Sequence, residues 1–384
     1  MHIYLDHNAT TPVEPDAVAT MAAVLTAQFG NPSSIHYFGQ QAKGLLDDAR
    51  TEVAALLGAA PADLVLTAGG TEADNLALRG LAEQAPPTSR RRLVISAIEH
   101  EAVTNTARAL EARGWELTVL PVDASGVVSI DRLRAVLDET VAVVAVMLAN
   151  NEIGTIQPVA EAAALARACG AVTLCDAVQA VGKIPVDARE LGVDLLALSA
   201  HKFGGPKGVG ALWIRKGTKL KSALTGGRQE RGRRAGTENI PGIAGMGVAA
   251  RLARTQLAAR TAAISTRRDT LEQTILAAIP GVSVNGAGAR RVPNTTNISF
   301  EGAEGESLVM ALDLEGIAVS TGAACSSGTL EPSHVLRALG LSPGRVQSAI
   351  RFSLGPATTD AEIDRTLAVL PGVVARVRAL GARR

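Results

Sequence analysis

Between Asp16 and Ile214 the chain switches repeatedly between short apolar runs and longer stretches rich in Ala and Leu. The runs "DLVLT", "RLVIS", "ELTVL", "VAVVAV", "AVTLCDA", "DLLALS" and "GALWI" have the length and near-continuous apolarity of strands buried on both faces. Stretches such as Thr71–Gln84 and Val159–Ala168 have helical length. Few architectures accept that rhythm. It predicts an α/β fold with a mostly parallel, seven-stranded sheet covered by helices on both faces. Ligands on such sheets sit at the carboxyl ends of the strands.

The stretch "TGGRQERGRRAGTEN" interrupts the rhythm, and a long helical segment is expected over Pro241 to Ala278. The rest is mixed: "TTNISF", a helix from Gly305 to Glu315, "IAVST", "AIRFSL" and a last helix from Thr359 to Leu380. The expected division is a large α/β domain over residues 15–250 and a smaller α+β domain formed by 1–14 and 251–384.

Hydrophobic residues make up 47% of the 384 and aromatics only 2%, so any core is built from Ala, Val, Leu and Ile. A formal net charge of +1 argues against a general nucleic-acid or anionic-membrane surface. Arg90-Arg91-Arg92 reads as a solvated loop. The three cysteines, Cys169, Cys175 and Cys325, form no close pair or CxxC motif, which suggests a reducing compartment and no metal site. The first residues lack a secretory pattern, and no run of about 18 apolar residues is present to span a bilayer. A cytoplasmic location is expected.

Chemistry-bearing residues fall at the ends of the predicted strands. Lys202, in "SAHKFGGPKG", is either a surface-turn lysine or an amine partly stripped of water and so made nucleophilic. Asp176, in "CDAVQA", is either a helix cap or the carboxylate that holds a protonated ring nitrogen, as a pyridoxal phosphate site requires; Gln179 follows three residues later. Gly69-Gly70-Thr71 opens a helix after "LVLT", where backbone N–H groups bind anions, although Thr71 also suits a plain cap. His100, at the end of "RLVIS", is either structural or able to stack on a flat ring and move protons. Arg351 reads as a strand ion pair or a carboxylate fork, and Asn151 as a turn residue or a ligand contact. Cys325 stands in "STGAACSSG", among small residues with nothing bulky to bury it.

Ten motifs in order, "HNATTP", "GNPSSIH", "TAGGTEADN", "EHEAV", "NNEIGTIQP", "DAVQA", "SAHKFGGPKG", "RAGTEN", "STGAACSSG" and "IRFSLG", resemble the cysteine desulfurases of the nitrogenase-associated and iron–sulfur-cluster type. The resemblance runs from Tyr4 to about Glu362. It implies a fold-type I pyridoxal phosphate enzyme of the class V aminotransferase family, working as a homodimer on L-cysteine. By the same resemblance Lys202 anchors the cofactor covalently, Asp176 meets the pyridine nitrogen, Gln179 the ring hydroxyl, and His100 stacks on the ring. Gly70, Thr71, Ser199 and His201 would hold the phosphate, and Thr237 would reach the phosphate of the neighbouring subunit. Arg351 and Asn151 would grip the substrate carboxylate, and Asn151 would also touch the cofactor hydroxyl. Cys325 would take the sulfur as a persulfide, release alanine, and pass the sulfur to an iron–sulfur scaffold or another acceptor protein.

Fold and cofactor alone also fit a selenocysteine lyase or another fold-type I enzyme, and a non-catalytic scaffold would keep the fold without the chemistry. Two departures stand out. Arg228 replaces a glycine frequent in relatives, and the Arg228–Arg234 run is strongly basic. The chain also ends soon after its last helix, where relatives often carry a longer tail.

Overall fold

A computed structural model describes residues 2–85, 90–322 and 332–381. Twelve strands occur among them: β1 (Ile3–Tyr4), β2 (Leu64–Thr67), β3 (Arg92–Ser96), β4 (Glu116–Leu120), β5 (Val141–Ala145), β6 (Val172–Asp176), β7 (Leu195–Ser199), β8 (Gly210–Ile214), β9 (Val282–Val284), β10 (Thr295–Phe300), β11 (Ile317–Ala318) and β12 (Ala349–Ser353). Seven form the expected sheet, in the order β2-β8-β7-β6-β5-β3-β4. Only β8 runs against its neighbours; the other pairings are parallel.

The sheet's two faces are built by alternate residues of the same strands. Leu64, Leu66, Cys175, Leu196 and Leu198 pack into one core with helices Tyr37–Leu56, Val159–Ala168 and Ile240–Thr255. Val65, Leu174, Leu195 and Ala197 pack into the other with helices Gly70–Gln84 and Glu101–Glu111. With both faces covered, neither needs polar residues, which is why the strands read as continuous apolar runs. A third core joins Ile3 and Leu5 to Ile298, Phe300, Ile350 and Phe352 of an antiparallel β12-β10-β9 sheet. Helices Leu257–Ala278, Gly305–Leu314 and Asp360–Gly381 cover that sheet.

Three expectations need correction. The single helix over Pro241–Ala278 is two helices, Ile240–Thr255 and Leu257–Ala278, meeting at Gln256. Ala250 and Ala253 belong to the first core and Ile264 and Leu271 to the third, so the chain changes partners at that point. "IAVST" pairs as a strand only over Ile317–Ala318. Finally, the Arg90–Arg92 run is not a solvated loop. Arg92 opens β3 and pairs with Asp138 at 2.9 Å, and Arg90 donates to the Val141 and Cys169 carbonyls. Among the described residues no helix is long and apolar enough to cross a membrane.

Candidate active site

The carboxyl ends of β6 and β7 and the start of helix Gly70–Gln84 border a cavity of about 480 Å³. Ten of the residues singled out in the sequence line it: Gly70, Thr71, His100, Asn151, Asp176, Gln179, Ser199, His201, Lys202 and Arg351. Thr237 does not; it is exposed, away from the cavity. Cys325 lies outside the described residues.

One end of the cavity is shaped to take an anion. β2 ends at Thr67, and the helix begins two residues after Ala68, through Gly69 at φ 153°. A Cβ on Gly70 would stand 2.7 Å from Val178 Cγ2, so the approach of helix to sheet requires glycine there. Gly69 has no side chain to cap the helix, and the first-turn amides remain for a ligand. Ser199, at the end of β7, and His201 adjoin them. Burial, then Lys202, Lys207 and Lys183, hold the His201 pKa down to about 4, so its ring is neutral. Its Nδ1 is 3.1 Å from Thr10 Oγ1.

The other end holds the lysine and the carboxylate. Asp176 is 5% exposed at the end of β6, and its Oδ1 accepts from Val178 N at 2.8 Å. Burial raises its pKa, against the pull of His100, the Val178 amide and Lys202. Lys202 Nζ donates to the carbonyls of Asn8 at 2.6 Å and Ala9 at 2.8 Å. Burial, then Arg351, push the Lys202 pKa down to about 8, with Asp176 and Asp6 opposing. The amine therefore loses its proton within reach of neutral pH. His100 caps helix Glu101–Glu111 with Nδ1, which accepts from Ala102 N at 3.1 Å; that bond assigns the proton of the neutral ring to Nε2.

Asn8 joins these parts. Its N donates to Ser353 Oγ at 2.9 Å, and its Nδ2 to Thr295 Oγ1 at 2.8 Å and Asn151 O at 3.0 Å. Its Oδ1 accepts from Lys183 Nζ at 2.8 Å and Asn294 Nδ2 at 3.0 Å, and its carbonyl from Gln179 Nε2 at 2.9 Å. Arg351 is 4% exposed. It donates to Asn151 O at 3.0 Å and to Asp6 Oδ1 at 2.6 Å.

Sequence reasoning missed several of these residues. Asn8 lies in "HNATTP" and Asp6 just before it, with nothing in the local sequence to mark either as part of a site. Asp74 lines the cavity at 1% exposure, and its Oδ1 has no partner among the described residues. It sits four residues after Gly70, on the same helix face, a spacing that marks it from sequence alone. Burial raises its pKa well above the carboxylate range, helped by Asp176 and Glu99. Lys183 is buried, and Gln179 is its other partner besides Asn8.

The class-V aminotransferase family model matches residues 3–366. The chain belongs to that family, in its cysteine desulfurase branch. A cysteine desulfurase of Cereibacter sphaeroides is 50% identical over 380 residues, which covers 98% of this chain and 97% of that protein. One from Nostoc sp. is 47% identical over 378 residues, covering 98% and 94%. Among solved structures a NifS-like protein superposes with a TM-score of 0.92 at 35% identity, covering 98% of this chain and 100% of that one. DndA from Streptomyces lividans gives 0.78 at 36% identity, covering 90% and 98%.

Members of this family depend on pyridoxal phosphate. The cavity fits that group. The uncapped helix start with its glycine cradle suits the phosphate, and Asp176 suits a protonated ring nitrogen. Lys202, with its depressed pKa, suits the aldehyde carbon. Asp74 lines the same cavity, and its buried Oδ1 has no partner among the described residues.

Proposed function

We propose that this chain is a cysteine desulfurase that removes sulfur from L-cysteine and carries it as a persulfide on Cys325. The observation that carries the reading is the convergence of Lys202, Asp176, His100 and Arg351 on one cavity whose rim includes Ser320 and Gly322. Cys325 follows Gly322 by three residues, so bond lengths alone keep its Cα within roughly 11 Å of Gly322's.

Pyridoxal phosphate, when bound, supplies the electron sink that makes an amino acid's α-proton removable and its β carbon–sulfur bond breakable. The helix start, Ser199 and His201 would hold its phosphate, Asp176 and Gln179 its ring, and Lys202 its aldehyde carbon. Arg351 and Asn151 orient the substrate carboxylate. Lys202 Nζ takes and returns the α-proton, and His100 Nε2 serves as the second proton carrier. The Cys325 thiolate forms a bond to the substrate sulfur as the substrate's Cβ–S bond breaks. The electron pair stays on carbon, takes up a proton, and alanine leaves. The persulfide then passes to an acceptor protein such as an iron–sulfur scaffold.

The enzyme works as a homodimer in the cytoplasm. Support for the dimer is a run of exposed apolar side chains between residues 25 and 38, Leu25, Phe29, Ile35, Tyr37 and Phe38, in which the Phe38 ring adjoins those of Phe29 and Tyr37, in a chain that is only 2% aromatic. Thr237, exposed and not among the residues lining its own cavity, would reach the neighbouring subunit's phosphate. The sparse cysteines support the compartment.

The test is a pair of variants. Cys325→Ser is expected to keep the yellow bound cofactor and lose sulfide release from cysteine. Lys202→Ala is expected to lose covalent attachment of the cofactor and turnover together. Alanine and a mass gain of one sulfur on Cys325 should appear together in the unaltered protein. A Cys325→Ser enzyme with full sulfide release would end the persulfide reading.

A further inference from the structure

Glu152 stands just behind the cavity wall, one residue after Asn151, and is 3% exposed. Its Oε2 accepts the Ser333 hydroxyl at 2.6 Å. The same oxygen would be 3.2 Å from a Cβ built on Gly322, whose backbone runs over the carboxyl at φ 90°. Gly322 and Ser333 flank Cys325 in the sequence. A single buried carboxyl is therefore bonded to the chain on one side of the proposed nucleophile and leaves little room for a side chain on the backbone at the other.

That carboxyl is itself held firmly. Asn150 Oδ1 accepts from Glu152 N at 2.8 Å and Ile153 N at 3.1 Å, and Asn297 Nδ2 donates to the Glu152 carbonyl at 3.3 Å. Each flank is also tied to the site. Gly322 N donates to Ser320 Oγ at 3.0 Å, and Ser320 bridges to Arg351 through the backbone. Ser333 Oγ accepts from Leu336 N at 3.0 Å, capping helix His334–Ala338. The His334 ring lies 3.0 Å from the carbonyl of Glu99, next to His100.

We propose that Glu152 is a positioning residue for Cys325. It fixes the spacing between the two points from which the cysteine-bearing stretch departs and returns, and so keeps the thiol at a high effective concentration beside the substrate sulfur. The inference rests on the reading of Cys325 as the nucleophile. Its physical basis is loop closure. Releasing one end of a short tether enlarges the volume its middle samples and dilutes the thiol at the point of attack. The hydrogen bonds that hold Arg351 and Lys202, to Asn151 O, Asp6 and the Asn8 and Ala9 carbonyls, do not use the Glu152 carboxyl, so the cost falls on sulfur transfer rather than on binding.

The experiment uses the full-length holoenzyme with Glu152→Ala, Glu152→Gln and Ser333→Ala. Glu152→Ala is expected to lower kcat for sulfide release by about tenfold or more, with KM changed by less than about threefold. The absorbance change of the bound cofactor on adding cysteine should keep its amplitude, while the persulfide mass on Cys325 builds up more slowly. Glu152→Gln keeps an acceptor oxygen for the Ser333 hydroxyl and is expected to restore kcat to within about threefold. An unchanged kcat in Glu152→Ala, or equal damage in the alanine and glutamine variants, overturns the proposal. So does a lost absorbance change in a folded variant. If Glu152→Ala fails to fold, Ser333→Ala severs the same tether and is held to the same outcomes. Cys325→Ser separates the two ideas. Sulfide release surviving in that variant refutes the nucleophile reading itself. Release lost there but intact in Glu152→Ala refutes only the positioning role.

Discussion

Glu99 shows how far the site's surroundings bend ordinary chemistry. The residue is 1% exposed, and its Oε1 accepts from Ser96 Oγ at 2.5 Å and Met147 N at 2.8 Å, while Oε2 has no partner among the described residues. Burial pushes its pKa up from 4.5 to about 8, with Asp176 adding to the rise and the two hydrogen bonds opposing it. Between those two values the folded protein keeps a proton that the unfolded chain has lost. Stability from this group is therefore greatest below 4.5 and falls as pH rises toward 8. Glu99→Gln is expected to flatten that decline, read as urea midpoints across the window; parallel curves for the two proteins would refute it. At this scale the sequence showed Lys202, Asp176 and His100 because they fall together at the carboxyl ends of strands of one sheet, although each alone also has a bland use. It hid Asn8 and Lys183, whose importance lies in contacts across long sequence separations. Nothing local distinguishes Asn8 from any asparagine ahead of a turn.

Elements were legible wherever one period ran uninterrupted. The buried strands announced themselves by apolarity, and Val159–Ala168 by its length. The break at Gln256 was not legible, because no glycine or proline marks it and the cause is a change of packing partner. The basic stretch at Arg228–Arg234 is explained only by the fold. Arg231 donates to the Ala62 carbonyl, and Arg234 pairs with Glu72 at 2.8 Å. Within the stretch the chain turns through Glu230 and Arg231 at φ 47° and 59°, a left-handed path rare outside glycine. That turn delivers the Glu230 carboxylate to Arg50 at 2.5 Å and to the amide of Leu66 at 2.9 Å, while Arg50 donates to the Leu64 carbonyl at 3.0 Å. β2 is the outermost strand, so this buried pair occupies an edge that would otherwise be open to another strand. Glu230→Ala strands the Arg50 charge and is expected to cost about 3–5 kcal/mol in denaturant unfolding. Arg50→Met with Glu230→Leu should recover much of it; a small loss in the single variant would show the pair to be dispensable.

At the scale of the whole molecule the exposed apolar group carries a direct expectation. Ile35 is 95% exposed and Phe29 76%, side chains that water should not face in a finished assembly. Phe29→Asp combined with Ile35→Asp is expected to convert a dimer to a monomer in sedimentation, and to weaken cofactor retention if Thr237 serves the neighbour. A variant that sediments as the unaltered protein does would move the interface elsewhere. The fold class was evident in the sequence because alternation is a global signal. The individual bonds between the first residues and the last strands were not, since they depend on how the third core closes; the expectation went only as far as grouping 1–14 with 251–384. Asn8 is bonded to Thr295 and Ser353 as well as to Asn151. The ribosome makes Asn8 long before Ser353, 345 residues later in the chain. The seven-stranded sheet has all its strands once Ile214 has emerged, yet Asn8 must wait on the order of ten seconds more at typical synthesis rates. Through that interval Lys202 lacks its finished seat, so a nascent chain can hold its largest sheet complete and still be chemically silent.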